Sequence, residues 1–314
     1  MNKKLLYTLL VIFMCNILLF GCDGNDSDSS SDTTHSNNNS GPKRDSTPVV
    51  LIPESSGTVV YENDIAAIDA SNSSSGYAQI NYKGSNPKVR LRFACPDGVT
   101  YTYAITNTGG YETFPFTSGN GTYNISVLEN LDGDEYVISL TQDIDVTLSD
   151  EFLPFLYPNQ YVNFTVDSAA ISKAQELVAD SHSELDTVAL IYNYVIDNIE
   201  YDDDKATNVT FGYSPDVDET LSTKKGICFD YASLMTAMLR SQRIPTKLEV
   251  GYAGEVYHAW ISTYITDVGW VDDIIEFDGH SWSLMDPTFA SNSDNSSLKK
   301  FIGNGSNYVL KYTY

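Results

Sequence analysis

Cys228, His258 and Asp286 are the residues of this chain whose types and settings could together run covalent chemistry. Cys228 sits in the run Gly226-Ile227-Cys228-Phe229-Asp230-Tyr231-Ala232, behind two lysines and ahead of Tyr231, Leu234, Met235, Met238 and Leu239 at helical spacing. At a helix start, unpaired backbone N–H groups and the positive end of the macrodipole favour negative charge. The spacing therefore predicts a thiol that loses its proton more readily than a free cysteine. His258 belongs to Tyr257-His258-Ala259-Trp260-Ile261-Ser262-Thr263-Tyr264-Ile265, where a period of two puts His258, Trp260 and Ser262 on one strand face. Asp286 closes Leu284-Met285-Asp286-Pro287-Thr288, the second arm of a hairpin predicted from Asp278-Gly279, a pair that favours two-residue turns. In such a set Cys228 attacks a carbonyl, His258 takes its proton and returns one to the leaving group, and Asp286 holds the imidazole tautomer. The Cys228 backbone N–H serves as one oxyanion donor, and no second donor is identifiable from the pattern.

These residues need elements to hold them. Ile244-Pro245 ends the cysteine helix, and Thr246 to Tyr252 alternates as a strand. Upstream, helices are predicted over 168–179 and 183–199, the second with a Ser183-x-x-Asp186 capping pattern. His182 falls in their link as a solvent-facing residue, Asp202-Asp203-Asp204 reads as a solvated loop, and His280 as a hairpin tip. Before the helices, short alternating runs such as Tyr77 to Tyr82, Val89 to Phe93, Thr100 to Ile105, Thr122 to Val127 and Tyr136 to Leu140 are separated by turn residues. That spacing predicts an all-β, Ig-like antiparallel sandwich over 58–165. Asp132, Asp134 and Glu135 lack the glycine and distal glutamate of a calcium loop and read as a hairpin turn. The proline-punctuated run 151–160 reads as a strap across the seam between the two halves.

The chain has 314 residues, enough for two domains, and 42% hydrophobic residues with 22 tyrosines, which excludes overall disorder. A net charge of -24 excludes a nucleic-acid partner and electrostatic attachment to an anionic membrane surface. Membrane attachment is instead predicted from residues 1–21: Lys3 and Lys4 precede an apolar stretch, Leu5 to Phe20, too short to span comfortably. The run Leu19-Phe20-Gly21-Cys22 resembles a bacterial lipoprotein lipobox, which implies a lipidated Cys22 and an extracytoplasmic protein tethered to a bacterial cell membrane. Residues 22–57, rich in Ser, Asp and Asn, read as a disordered acidic spacer. Of the 4 cysteines only Cys95 and Cys228 then remain in the folded part, with Cys95 as a packing thiol.

Gly226 to Ala232, Leu239-Arg240 with Ile244-Pro245, Gly251-Tyr252, His258-Ala259-Trp260 and Asp286-Pro287-Thr288 occur in an order that resembles the core motifs of the transglutaminase-like superfamily. The resemblance implies a papain-like α+β fold over 166–314 with a Cys228–His258–Asp286 triad, and Trp260 and Trp282 as cleft walls or core. It implies a thiol enzyme without cofactor or metal, acting on amide or peptide bonds of a protein or peptide outside the cytoplasm. Acyl transfer from glutamine and hydrolysis both pass through the same thioester, and motif spacing does not separate them. The competing expectation is a surface binding or assembly module that uses the β-sandwich and has a vestigial triad.

Overall fold

Strands in the first half form where β-branched and aromatic residues alternate with polar ones, because one face can then be buried. β4 (Val89–Ala94) shows this directly: Val89, Leu91 and Phe93 are buried while Arg90 and Arg92 between them are half-buried. A computed structural model describes residues 41–253, 255–271, 275–277, 282–284 and 308–314. Residues 60–146 hold β1 (Val60–Glu62), β2 (Ala66–Asp69), β3 (Tyr77–Tyr82), β4, β5 (Thr100–Ile105), β6 (Glu112–Pro115), β7 (Gly121–Asp132) and β8 (Glu135–Val146). They make two four-stranded antiparallel sheets, ordered β1-β2-β3-β6 and β5-β4-β7-β8. The sheets face each other through aromatic rings: Phe93 meets Phe114 at 5.9 Å and Phe116 meets Tyr123 at 4.7 Å between centroids. Asp132 pairs with Glu135 across Gly133, whose φ is 51°, which is the hairpin turn expected there.

The second half is mixed. It runs α1 (Ala169–Leu177), α2 (Glu184–Asn198), β9 (Glu200–Tyr201), α3 (Asp203–Asn208), α4 (Val217–Thr223), β10 (Lys225–Gly226) and α5 (Cys228–Ser241). Then follow β11 (Thr246–Ala253), β12 (Val256–Ile265), β13 (Gly269–Val271), β14 (Ile275–Phe277), β15 (Trp282–Leu284) and β16 (Tyr308–Thr313). The main sheet is antiparallel in the order β13-β12-β11-β16, and α5 packs between it and helices α1, α2 and α4. An amphipathic helix was expected at α5, but every residue from Asp230 to Ser241 is buried, because neighbours cover it on all sides. Ser183 caps α2 as the sequence suggests, accepting from the Asp186 N–H at 3.0 Å.

Three local expectations are corrected. Residues 41–57 are not a free spacer. Val49 N–H donates to Ser241 O at 2.8 Å, Arg243 donates to Thr47 O at 2.7 Å and Glu54 N–H donates to the Tyr77 hydroxyl at 3.0 Å. Main-chain bonding, which needs no apolar side chains, holds this polar segment in place. Asp202 is not in a solvated loop; its carboxylate caps α3, accepting from Lys205 N–H at 2.8 Å. His182 is half-buried, and its Nδ1 lies 2.8 Å from Gly41 O.

The strap reaches both halves as its composition suggests. Tyr157 meets Tyr77 at 4.8 Å with the rings tilted, while Phe152 meets Tyr264 at 4.3 Å and Phe155 meets Trp270 at 5.3 Å. The described residues belong to one compact unit that begins at Gly41. Among them, no helix is long and apolar enough to cross a membrane.

Candidate active site

Cys228 is the first residue of α5, and two short-range constraints put it there. β9 and β10 pair in parallel, with Tyr201 opposite Gly226, so the chain enters the helix from a fixed direction. Asp230 then reaches back, its Oδ2 accepting from the Ile227 N–H at 2.8 Å and from Lys205 Nζ at 2.8 Å, while the Tyr213 hydroxyl donates to Oδ1. The carboxylate is wholly buried, so a helix-start N–H, a cation and a phenol together compensate its lost hydration. Gly226 permits this close approach: a Cβ there would lie 2.6 Å from the Asp230 Cβ.

β12 brings His258 to the same place. Cys228 and His258 line one cavity of about 530 Å³, with Tyr161, Tyr201, Tyr257 and Tyr314 among its walls. The Ala259 N–H, next to His258 in the chain, hydrogen-bonds the Cys228 thiol. β12 is itself held at the right height by β11, where His258 pairs with Gly251. A Cβ at Gly251 would lie 2.1 Å from Val309 O and 2.9 Å from Trp260 Cη2, so only glycine fits between the strands.

The electrostatics of the enclosed site oppose the ionised thiol expected from the helix start. Burial pushes the Cys228 thiol up to about 11, although the N–H groups of Ala259, Phe229 and Cys228 favour its anion. Loss of hydration outweighs the helix-start donors. Burial likewise lowers His258 to about 4. Burial thus disfavours both the thiolate and the imidazolium in the enclosed site.

Tyr201 is a site residue that sequence reasoning missed. It lines the cavity, and the Cys228 N–H hydrogen-bonds its hydroxyl. Burial first, then its closeness to Cys228 and to the Asp203 and Asp230 carboxylates, pushes its phenol up to about 12, so it keeps its proton. The only sequence signal was an aromatic residue just after α2, which is uninformative until the β9–β10 pairing is known.

Of the other expected residues, Trp260 belongs to the core and not to the cavity wall. It is 3% exposed, and its Nε1 donates to Glu249 Oε2 at 2.9 Å, an oxygen that also accepts from Ser262 at 2.5 Å. That shared acceptor matches the expected common face of Trp260 and Ser262. Cys95 is buried and free, with its thiol pushed up to about 11 by burial. β14 and β15 form the expected hairpin, but Phe277 pairs with Trp282, leaving four residues between them instead of two. Asp286, His280, Cys22 and the side chain of Trp282 lie outside the described residues.

Residues 171–272 match the family model of the transglutaminase-like superfamily, so this third of the chain is a transglutaminase-like domain. The matched region contains Cys228 and His258. A UPF0252 protein of Methanocaldococcus jannaschii is 35% identical over 99 residues, and the match spans 28% of this chain and 28% of that relative's length. Similar solved structures include a candidate cysteine protease from Cytophaga hutchinsonii, 16% identical over 82% of this chain and 74% of that one, with a TM-score of 0.35. Red sea bream transglutaminase is 12% identical over 70% of this chain and 49% of that one, with a TM-score of 0.25.

Proposed function

We propose that this protein is a thiol enzyme that opens amide or peptide bonds through a thioester on Cys228. The observation that carries this is the shared cavity: a half-buried thiol at a helix start, the imidazole of His258, and the Ala259 N–H on the sulfur. As a substrate carbonyl reaches the sulfur, His258 takes the thiol proton and the new C–S bond forms. To the oxyanion that results we assign the Cys228 N–H, released from the Tyr201 hydroxyl as the carbonyl enters, and that hydroxyl as the second donor. The C–N bond then breaks as His258 returns the proton to the departing amine. Water or a second amine attacks the thioester, giving an acid or a new amide and restoring the thiol. Asp286 is assigned the orienting role beside His258 on the strength of the motif resemblance.

The cavity selects for uncharged substrate segments. Its walls are mainly aromatic and aliphatic and include Thr102 from β5, so the β half shapes the site as well as the helical half. In keeping with the strand order of its two sheets, we assign that half to the Ig-like class. The lipobox resemblance at Cys22 supports an extracytoplasmic, lipid-anchored location, which makes exposed protein or peptide substrates the natural targets.

The test is to incubate the protein with a glutamine-containing peptide and a labelled primary amine and to weigh the products. Amine incorporation identifies transfer, an acid product about one dalton heavier than the peptide identifies deamidation, and shortened chains identify proteolysis. Cys228→Ala is expected to abolish whichever is seen. If the substituted protein still does everything the parent does in cells, the binding-module alternative replaces this proposal.

A further inference from the structure

His258 shares its face of β12 with Trp260 and Ser262, and β11 carries the residue that ties this face together. Glu249 stands directly opposite Trp260, and Gly251 directly opposite His258. Opposed residues of an antiparallel pair point to the same side of the sheet, so Glu249, Trp260 and His258 stand on one face. Glu249 is 6% exposed, a carboxylate largely removed from water. Its Oε2 accepts from Trp260 Nε1 at 2.9 Å and from the Ser262 hydroxyl at 2.5 Å. An apolar side chain at 249 would hold the two strands with less loss of hydration, so strand pairing by itself does not account for a carboxylate there.

What the carboxylate does is fix the indole of Trp260. The Nε1 end is held by Glu249, and the far edge lies over Gly251, where an added Cβ would come within 2.9 Å of Cη2. The Tyr308 ring meets the indole edge-on, with centroids 5.0 Å apart. The remaining neighbour on this face is the His258 imidazole, 6.4 Å away between ring centres with the planes 24° apart. That separation is within the range of about 4.5–7 Å over which flat rings interact. His258 is 4% exposed and Trp260 3% exposed, so neither ring borders open water. In a close-packed interior, a shift of one ring is passed to the next.

We propose that Glu249 is a positioning residue for His258: by anchoring the Trp260 indole it sets the plane in which the imidazole meets the Cys228 thiol. Ala259, between His258 and Trp260 in the chain, gives its N–H to the same sulfur, so a shift of this stretch of β12 moves the base and a thiol contact together. The role given to His258 rests on the thiol-enzyme reading, whereas the anchoring of its ring through Trp260 does not. The anchor works by accepting hydrogen bonds. A glutamine at 249 offers an oxygen at the same reach and should replace it, while a leucine fills the space and offers none.

The experiment compares the full chain with Glu249→Gln and Glu249→Leu, by NMR on isotope-labelled histidine and by the peptide assay above. The chain has 4 histidines, and the signal of His258 is the one missing from His258→Gln. Glu249→Leu is expected to move or broaden that signal, because the indole beside it is released, while Glu249→Gln leaves it in place. In the assay Glu249→Leu should lower kcat by about tenfold or more with KM within about twofold of the parent, since a misplacement of about 1 Å can cost about 10² in rate. Glu249→Gln should restore kcat. Should Glu249→Leu fail to fold in a thermal melt, Trp260→Phe takes its place, read by kcat and by broadening of the His258 signal, because exchanging the ring moves the shift by itself. A His258 signal unchanged in the variant without an acceptor, a glutamine variant as impaired as the leucine variant, or a KM that rises in step with the fall in kcat would overturn the inference. A parent with no turnover would remove the thiol reading instead, and the His258 signal would then decide the anchoring alone.

Discussion

Cys228 carries two opposed influences, and their magnitudes decide its resting state. The helix start offers backbone donors to a thiolate, while enclosure by tyrosines and β12 removes water from it, and enclosure wins. Alkylation of Cys228 by iodoacetamide, followed by peptide mapping to distinguish it from Cys95, should therefore accelerate towards about pH 11 with no inflection below 8.5. An inflection near neutrality would show that the imidazole ionises the thiol before substrate arrives. Tyr201 makes the companion prediction. Tyr201→Phe keeps the ring and the β9 pairing but removes the second oxyanion donor, so kcat should fall by roughly 10²–10³ with KM little changed. An equal loss in KM would point to substrate packing instead. His258 adds a stability effect whose sign follows from its lowered value. The unfolded chain binds this proton below about 6.5, and the folded chain only near about 4. Between those values the unfolded state holds more protons, so this residue's contribution to stability is present at neutral pH and lost as pH falls. Urea melts of wild type and His258→Gln should diverge in slope across that window.

The elements around the site are held by buried polar groups as much as by apolar contact. Asp230 joins α5, α3 and the 209–215 segment through Ile227 N–H, Lys205 and Tyr213. Asp230→Ala takes the acceptor from the half-buried Lys205 ammonium, the Tyr213 hydroxyl and a helix-start N–H, and should cost about 3 kcal/mol in a denaturant melt. Lys205→Met removes the cation but keeps the stem and leaves Asp230 the Ile227 N–H and Tyr213 hydroxyl, and should cost less. Such ties explain which elements were legible beforehand. α2 announced itself through Ser183 and Asp186, which act within one turn of each other, and β11 and β12 through strict alternation. β2 was not foreseen, because Ala66-Ala67-Ile68-Asp69 has no alternation and only Ile68 is β-branched, and all four residues are buried. α3 was missed for a related reason: three successive aspartates look like solvated loop, and only the first acts as a cap.

Arg240 shows how the halves are joined. The guanidinium is 1% exposed and donates to Thr246 O at 3.0 and 2.8 Å, to Tyr157 O at 2.6 Å and to Tyr314 O at 2.8 Å. Burial lowers it to about 9. It thus fastens α5, the strap, β11 and the chain after β16 with one side chain, and Arg240→Met should lower global stability by about 3 kcal/mol or more because three main-chain acceptors lose their donor. The β half meets the same region through Tyr101, whose ring lies 5.2 Å from Tyr312 and 5.6 Å from Tyr314. Local chemistry along the chain was enough to identify the cysteine helix, the histidine strand and the family they resemble, because caps, turns and periodicity act over a few residues. Tertiary structure alone decided that burial opposes ionisation of Cys228, that Tyr201 stands beside it, that Trp260 is core, and that the β half walls the cavity. Each of these depends on which surfaces lose water to one another, and that is set by contacts between residues far apart in the chain.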